Sequence, residues 1–246
     1  MTQATADLLE IKNLKKTFGG LAAIRDVTAQ IKRGEILGMI GPNGAGKTTL
    51  FNLISGAYLP DSGSIVFEGE PIEGKADYQI SQKGICRTYQ IVKPFNNLTV
   101  LENVLVAAFR KNNRMKPARE FSLDLLNFTG LYEKRSHLAS SLTLAEKKSL
   151  ELARALATQP KLILLDEVMA GLNPKEQDDS IRLIFQIHQK GMTLLVIEHK
   201  MKIIMSISNR IMVLHYGEKI AEGSPEEVSG NPKVIEAYLG EKSNLA

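Results

Sequence analysis

The amino-acid sequence predicts an α/β fold with a mainly parallel sheet, an antiparallel β subdomain and an inserted α-helical subdomain. Short, largely apolar runs at residues 35–40, 162–165 and 193–197 are typical of buried parallel strands. Within residues 8–67, alternating runs separated by glycine turns are typical of antiparallel hairpins. Over residues 100–157, apolar residues recur at helical spacing with no strand between them, which indicates a helical insertion.

The first third of the chain is predicted to form the antiparallel layer and the first core strand. In chain order, we expect strands at residues 8–14, 22–32, 35–40, 64–67 and 85–89 and a helix at residues 49–55. The pair Gly19-Gly20 turns the chain between the first two strands. Gly69 follows the fourth strand and indicates a further hairpin.

The rest of the chain is predicted to combine helices with buried strands. In chain order, we expect helices at residues 100–108, 118–128 and 144–157, a strand at 162–165, a helix at 174–190, strands at 193–197 and 211–214, and a terminal helix at 234–239. Residues 111–117 are expected to be a solvated basic loop. The residues expected on buried faces are Phe121, Leu125 and Phe128 in one helix and Met201, Ile204 and Met205 in a short helix after residue 200.

The composition is that of an ordinary globular protein. Hydrophobic residues make up 43% and charged residues 24% of the 246 residues, and the net charge is +4. Lysine and arginine are scattered and tryptophan is absent, so no nucleic-acid partner is expected. The single cysteine, Cys86, is expected to be a buried strand thiol and predicts a reducing compartment. Because no signal-peptide pattern or long apolar run is found, any role at a membrane is expected to need a partner.

Residues 41–49 carry the strongest functional motif. The run Gly41-Pro42-Asn43-Gly44-Ala45-Gly46-Lys47-Thr48 matches the pattern G-x-x-x-x-G-K-[ST] at every fixed position, and Thr49 follows it. A strand before the loop and a helix after it would aim backbone N–H groups at a phosphate. Lys47 would reach the β- and γ-phosphates, and the Thr48 hydroxyl would complete the coordination of Mg²⁺. The motif predicts a P-loop NTPase core; the alternative is a glycine-rich turn that matches by chance.

Two acids follow the apolar strand at residues 162–165. Asp166 lies at its carboxyl end and can hold Mg²⁺, directly or through water. Glu167, one residue further on, would polarise a water molecule that attacks the γ-phosphate. The alternative is a strand end that carries two solvated acids. Their place in the chain after the phosphate loop favours the catalytic interpretation.

With these two motifs in place, the chain resembles the ATPase subunit of ABC transporters over nearly its whole length. The resemblance implies that Phe18 stacks on the adenine of ATP. It implies that Gln90 senses Mg²⁺ and the γ-phosphate, and that the switch histidine His199 contacts the γ-phosphate. ATP and Mg²⁺ are therefore the expected cofactors.

The resemblance also implies the domain organisation. Residues 1–246 would form a single ABC ATPase domain, in which residues 1–90 and 160–246 are the nucleotide-binding core with its β subdomain. Residues of about 91–159 would be the helical subdomain that carries the family's signature segment.

The signature segment departs from the family pattern Leu-Ser-Gly-Gly-Gln. The aligned residues here are Leu142-Thr143-Leu144-Ala145-Glu146. In the family this segment caps the ATP held by the partner subunit, which implies that Thr143, Ala145 and Glu146 contact nucleotide. Thr143 keeps the hydroxyl, whereas Glu146 would place a negative charge near a triphosphate. The adjacent Lys147-Lys148 pair offers positive charges that could neutralise it.

Several short motifs resemble the ATPases of branched-chain amino acid importers. They are Phe18-Gly19-Gly20-Leu21, Arg87-Thr88-Tyr89-Gln90, Leu98-Thr99-Val100-Leu101-Glu102-Asn103-Val104, Ala170-Gly171-Leu172-Asn173-Pro174 and Val234-Ile235-Glu236-Ala237-Tyr238-Leu239-Gly240. They imply an ATP-hydrolysing subunit that powers import of a branched-chain amino acid or a related polar solute. None of them contacts the cargo, so the substrate is inferred by association.

The implied mechanism is ATP-driven dimerisation. Two copies, or one copy and a related subunit, would enclose two ATP molecules between residues 41–48 of one subunit and Thr143–Glu146 of the other. Closure would pull on transmembrane permease subunits through residues 90–97, from a cytoplasmic position on the inner face of the membrane. The apolar residues of this surface are Ile91, Val92, Pro94 and Phe95, and the alternative to their exposure is internal packing.

Two other functions stay open. The atypical signature is compatible with a regulatory nucleotide binder that hydrolyses little ATP. The second open function is that of a soluble ABC-type ATPase that acts on ribosomes or DNA. A single cassette and the absence of a heptad run disfavour it.

Overall fold

The computed structural model describes residues 7–111, 113–198 and 200–243. The chain divides into two compact units, one formed by Met1–Lys83 with Gly191–Ala246 and the other by Gly84–Lys190.

The described part of the chain contains strands and helices in alternation. The strands are β1 Asp7–Phe18, β2 Leu21–Lys32, β3 Ile36–Ile40, β4 Ser62–Phe67, β5 Glu70–Pro71, β6 Ile85–Arg87, β7 Leu162–Asp166, β8 Thr193–Ile197, β9 Arg210–His215 and β10 Glu218–Gly223. The α-helices are α1 Lys47–Ile54, α2 Asp77–Lys83, α3 Val100–Ala108, α4 Met115–Phe128, α5 Leu144–Ala157, α6 Pro174–Gln189, α7 Met201–Ile207, α8 Pro225–Ser229 and α9 Pro232–Ser243. Short 3₁₀ helices lie at Tyr132–Lys134 and Ala139–Ser141.

The first unit contains eight of these strands in the order β5-β4-β1-β2-β10-β9-β3-β8. Strands β1 and β2 pair antiparallel from Asp7 and Lys32 to Phe18 and Leu21, and β4 pairs antiparallel with the other edge of β1. Gly19 and Gly20 connect β1 to β2 with φ values of 51° and 91°, a left-handed conformation that glycine adopts without steric cost. The predicted antiparallel layer and its turn are confirmed.

The parallel part of the first unit is centred on β3, which pairs with β8 on one side and β9 on the other. Every residue of β3 and β8 is buried, as the apolar runs predict. Both neighbours run parallel to β3, so its carboxyl end at Ile40 lies at an edge of the sheet from which a loop can project.

The second unit combines a parallel strand pair with a helical layer. Strands β6 and β7 pair in parallel from Ile85 and Leu162 to Arg87 and Leu164. Helices α3, α4 and α5 pack around a common apolar core, which confirms the predicted helical insertion. Its buried residues are Val100, Val104, Ala108, Ala118, Leu126, Leu131, Ala139, Leu142, Leu150, Ala153 and Ala157.

The predicted end of β6 and the predicted start of α4 are wrong. Strand β6 ends at Arg87 instead of residue 89, because the N–H of Tyr89 donates to the Glu151 side chain at 2.8 Å rather than to a strand. Helix α4 begins at Met115, inside the predicted loop at 111–117, because Pro117 falls in its first turn, where a missing N–H costs no helical hydrogen bond.

The predicted buried face of α4 is rotated, and that of α7 is confirmed only for Ile204. The buried residues of α4 are Ala118, Ser122 and Leu126, with Phe121 and Leu125 only partly buried against the core. The buried residues of α7 are Ile203, Ile204 and Ile207, and Met201 and Met205 are half-buried. The short helices α2 and α8 were not predicted, because five to seven residues carry too little periodicity.

Cys86 lies on β6, as predicted for a structural thiol. Burial raises the pKa of its thiol, which keeps the group protonated at neutral pH and unreactive. In the part of the chain that the structure describes, no helix has the length and apolar character needed to cross a bilayer.

Arg210, at the start of β9, connects several strands of the first unit. Its guanidinium donates to the Glu35 carboxylate at 2.7 Å, to the carbonyl oxygen of Gln30 at 2.7 Å and to Glu222. Burial lowers the pKa of Arg210, but the hydrogen bond and the charge of Glu35 outweigh this and raise it. The two acids are mostly buried, with side chains 11% and 19% exposed.

We expect Arg210→Met to lower the free energy of unfolding by about 2–4 kcal/mol, because it leaves the mostly buried Glu35 carboxylate without its cation, whereas Glu222 keeps its ion pair with Lys219. The matched control is Arg25→Met, whose guanidinium is 52% exposed and lies 3.7 Å from Glu218; it should change stability by less than about 1 kcal/mol. Urea denaturation followed by circular dichroism measures both. Equal effects of the two substitutions would contradict the prediction.

Candidate nucleotide site

The phosphate loop spans Gly41 to Gly46, between the end of β3 and the start of α1. The N–H of Ala45 donates to the carbonyl oxygen of Pro42 at 3.2 Å, and the carbonyl oxygen of Ala45 accepts from the N–H of Gly217 at 3.0 Å. The loop is therefore closed on itself and fixed to the turn between β9 and β10. Gly46 is the N-cap of α1 in a left-handed conformation, and no side chain caps the helix. The first turn of α1 can therefore offer its N–H groups to an anion.

The three glycines of the loop are needed for different reasons. A Cβ at Gly41 would overlap the carbonyl oxygen of Leu214. A Cβ at Gly46 would lie 2.6 Å from the carbonyl oxygen of Ala23, and its φ is +103°. Gly44 has a φ of +76° with open space where its Cβ would be, so only its backbone conformation requires glycine. Gly41 and Gly46 thus allow close backbone packing, whereas Gly44 lies on the open side.

Lys47 is folded over the loop. Its Nζ donates to the carbonyl oxygens of Gly41 and Pro42 at 2.5 and 2.8 Å, and the residue is 7% exposed. The loop side chains differ in exposure: Asn43 and Thr48 are exposed, Thr49 is half-buried, and Pro42 and Ala45 are buried. Pro42 and Ala45 therefore shape the loop, and the positive charge of Lys47 is held within it.

Phe18, predicted to stack on adenine, is the last residue of β1 and is 40% exposed. Tyr58, which the sequence did not single out, packs edge-on against it with ring centroids 5.1 Å apart. The N–H of Tyr58 donates to the carbonyl oxygen of Asn52 on α1 at 3.1 Å. Asp61 accepts from the N–H of Thr17 at 2.7 Å. The segment after α1 thus supports the Phe18 ring. The sequence signal for this contact was an aromatic residue, Tyr58, within a cluster of turn-forming residues.

Asp166, at the end of β7, is paired with a buried cation. Its Oδ2 accepts from the guanidinium of Arg87 at 2.7 Å, and each side chain is only 7% exposed. Its N–H donates to the Thr88 hydroxyl at 3.3 Å. One carboxylate oxygen of Asp166 is therefore fixed by Arg87.

Arg87 is not among the residues predicted for the site. A sequence signal for it exists, because a charged residue within a short, largely apolar strand needs a buried partner.

Glu167 and Gln90, the predicted catalytic glutamate and sensor, are in direct contact. The Gln90 amide Nε2 donates to Oε2 of Glu167 at 2.7 Å. Glu167 has a φ of +50°, a left-handed conformation that is uncommon for a residue with a side chain. Its carbonyl oxygen accepts from the N–H of Ala170 at 3.1 Å. The side chain and the backbone of Glu167 are each held by separate contacts.

The signature segment forms the start of α5. Thr143 is the N-cap: its hydroxyl accepts from the N–H of Glu146 at 3.3 Å, and its own N–H donates to the Glu146 carboxylate at 2.9 Å. The same carboxylate forms an ion pair with Lys134. Burial raises the pKa of Glu146, but the hydrogen bonds from Lys134 and the Thr143 N–H outweigh it and hold the pKa below its usual value. Ala145 is half-buried.

Lys134, rather than the adjacent lysines, neutralises Glu146. Lys148 is 6% exposed, and its Nζ donates to the carbonyl oxygens of Glu167 and Ala170 at 3.2 and 2.7 Å. Lys134 lies twelve positions before Glu146 along the chain, in a separate 3₁₀ helix, so sequence adjacency could not identify it.

Residues 90–97, the predicted partner surface, are largely exposed. Ile91 is 72% and Phe95 46% exposed, whereas Val92 and Pro94 are half-buried. The guanidinium of Arg154 on α5 lies 4.9 Å from the Phe95 ring centroid and donates to the carbonyl oxygen of Lys93 at 3.2 Å. An exposed apolar surface, rather than internal packing, is thus seen for Ile91 and Phe95.

The predicted switch histidine, His199, lies outside the described residues.

Each of the predicted metal ligands would contribute one side-chain oxygen atom. No group of three or more His, Cys, Asp or Glu side chains that could hold a metal ion is found among the described residues. Thr48, Gln90 and Asp166 supply hydroxyl, amide and carboxylate oxygens, the donor types that Mg²⁺ prefers. A nucleotide-bound Mg²⁺ usually takes one or two protein ligands and completes its shell with phosphate oxygens and water, so each of these oxygen donors is of a type that fits the ion.

Comparisons with known proteins identify the family of the chain. Residues 24–170 match the family model described as "ABC transporter". Residues 218–243 match the model described as "Branched-chain amino acid ATP-binding cassette transporter". The curated relatives include the "High-affinity branched-chain amino acid transport ATP-binding protein BraF" of Pseudomonas aeruginosa, 41% identical over 95% of this chain and 98% of that protein. The corresponding protein LivG of Escherichia coli K12 is also 41% identical, with the same coverage.

Solved structures agree with this relationship. The ADP conformation of MJ1267, an ATP-binding cassette of an ABC transporter, superposes with a TM-score of 0.87 at 32% identity, covering 96% of this chain and all of that one. The cassette MJ0796, solved as a dimer in a post-hydrolysis state with ADP and Pi, gives a TM-score of 0.79 at 26% identity over 88% of this chain and 98% of that one. The fold prediction of a P-loop NTPase is confirmed. The chain therefore belongs to the ATP-binding subunits of ABC transporters, and it binds and hydrolyses ATP.

Proposed function

We propose that this subunit powers the import of a branched-chain amino acid or a related polar solute. The observation that carries the proposal is the 41% identity, over 95% of the chain, to proteins named for branched-chain amino acid transport. The match of residues 218–243 to the model of that transporter subgroup supports it independently. The phosphate-loop geometry supports the nucleotide chemistry but carries no information about the cargo.

Phosphate binding is assigned to the loop residues Gly41–Thr49. Their backbone N–H groups and the uncapped start of α1 favour a negative charge at this position. Lys47 would exchange its bonds to the carbonyl oxygens of Gly41 and Pro42 for bonds to the β- and γ-phosphates. Phe18, exposed at the end of β1, would stack on the adenine.

Hydrolysis is assigned to Asp166, Glu167 and Gln90, with His199 as a further contact to the γ-phosphate. Glu167 would accept the proton of the attacking water, and Gln90 would hold the Glu167 carboxylate in place through their 2.7 Å hydrogen bond. Asp166, Gln90 and Thr48 would hold Mg²⁺, which when bound neutralises phosphate charge. Arg87 keeps Asp166 in one orientation.

Motion would come from ATP-driven association with a second ATPase subunit, the same chain or a related one. Thr143, Ala145 and Glu146 would then contact the ATP held by the partner. The exposed residues Ile91 and Phe95 would contact transmembrane permease subunits, which places the protein at the inner face of the membrane. All of residues 1–246 would act as one cassette, with about 91–159 as the helical part.

We expect Glu167→Gln to lower the basal ATPase rate about 100-fold or more, because the general base is lost while ATP binding is kept. With ATP and Mg²⁺ the variant should accumulate as a dimer, measured by size-exclusion chromatography with light scattering. Glu120→Gln, which removes an exposed carboxylate on α4, is the control and should leave both readouts unchanged. Unchanged ATPase activity in Glu167→Gln would contradict the assignment. ATP binding without dimers would point to a different partner cassette.

We expect Lys134→Met, introduced into the Glu167→Gln background, to raise the ATP concentration needed for half-maximal dimer about three- to tenfold. The reason is that an unpaired Glu146 would repel the partner's triphosphate at two sites per dimer. Glu146→Gln in the same protein should restore the affinity. Lys116→Met, at an exposed position of α4, controls for the loss of one charge. If Glu146→Gln does not restore the affinity for ATP, the ion pair between Lys134 and Glu146 does not affect nucleotide binding.

A further inference from the structure

We infer that Lys148 is a positioning residue for ATP hydrolysis, which connects the signature helix α5 to the backbone of Glu167. The inference rests on the proposed role of Glu167 as the general base. Lys148 is not among the residues proposed for the site. Its role follows from what its ammonium group binds.

The Lys148 ammonium binds both ends of a turn that begins at Glu167. Its Nζ donates to the carbonyl oxygen of Glu167 at 3.2 Å and to that of Ala170 at 2.7 Å. The same turn is closed by the N–H of Ala170, which donates to the carbonyl oxygen of Glu167 at 3.1 Å. Val168 and Met169, between them, are 7% and 2% exposed. The turn is therefore packed by its apolar residues and bound on its polar side by one lysine.

A buried lysine is costly unless its charge is hydrogen-bonded, so its retention at 6% exposure indicates a specific task. The task that the geometry supports is to hold Glu167 in its left-handed conformation at φ +50°. That conformation sets the direction in which the carboxylate leaves the backbone. The 2.7 Å bond from Gln90 then fixes the far end of the same side chain. Glu167 is thus held at its backbone by Lys148 and at its carboxylate by Gln90.

Lys148 also lies close to the start of α5, whose N-cap is Thr143. Since a helix moves as a rigid rod, a shift of the signature segment would be transmitted through Lys148 to the carbonyl oxygens of Glu167 and Ala170. Lys148 therefore links the segment that would contact the partner's ATP to the orientation of the general base in its own subunit.

The test compares Lys148→Met, Lys148→Arg and the control Lys116→Met in the full chain. We expect Lys148→Met to lower kcat about tenfold or more with KM for ATP changed less than about twofold, because the base is misplaced while phosphate binding is untouched. Arginine can donate to both carbonyl oxygens, so Lys148→Arg should recover most of the rate. Lys116→Met should behave as the wild type.

A second readout separates positioning from folding. If Lys148→Met only slows hydrolysis, it should accumulate an ATP-bound dimer with Glu167 intact, and its affinity for ATP measured by calorimetry should equal that of the wild type. Loss of ATP affinity and of dimer together, with a lowered Tm, would overturn the inference and leave a structural role. Unchanged kcat in Lys148→Met would also overturn it. An inactive wild type whose Glu167→Gln variant does not dimerise would instead overturn the proposed function.

Discussion

The phosphate loop keeps its shape because two of its positions have no room for a side chain. A Cβ at Gly41 would overlap the carbonyl oxygen of Leu214 on β9, and one at Gly46 would lie 2.6 Å from the carbonyl oxygen of Ala23 on β2. The loop backbone is therefore packed directly on the sheet. Every assigned function of the first unit depends on this packing, because an anion site built from N–H groups requires a fixed backbone.

In the second unit, two buried cations and one amide orient the two acids that are proposed to act in hydrolysis. Arg87 holds one oxygen of Asp166, Gln90 holds one oxygen of Glu167, and Lys148 holds the backbone that follows. Each cation or amide is largely buried or directed at a single acceptor, so the acids have few alternative conformations. Such buried pairs contribute little net stability compared with apolar packing, and their benefit here is orientation.

The negative charge that Glu146 adds to the signature segment is compensated by nearby groups. Glu146 is the N3 partner of a capping box and also pairs with Lys134, so its charge is engaged twice within the helical layer. A glutamine at this position could make the same helix cap without the ion pair. The substitution is thus accommodated by a lysine from a separate 3₁₀ helix, which argues against a decayed, non-hydrolysing signature.

The sequence by itself determined the architecture and the loop. Its apolar runs identified β3, β7 and β8, and the spacing of residues 41–48 identified the phosphate site, because both depend on local patterns of a few consecutive residues. It could not identify the cations that orient Asp166 and Glu146, since Arg87 and Lys134 are distant from them along the chain. It also misplaced the buried face of α4, where packing against α3 and α5 selects Ala118 and Leu126 over larger residues. Tertiary structure decided which group pairs with each charge and which side of each helix is packed. Both depend on which residues, distant along the chain, are buried next to one another.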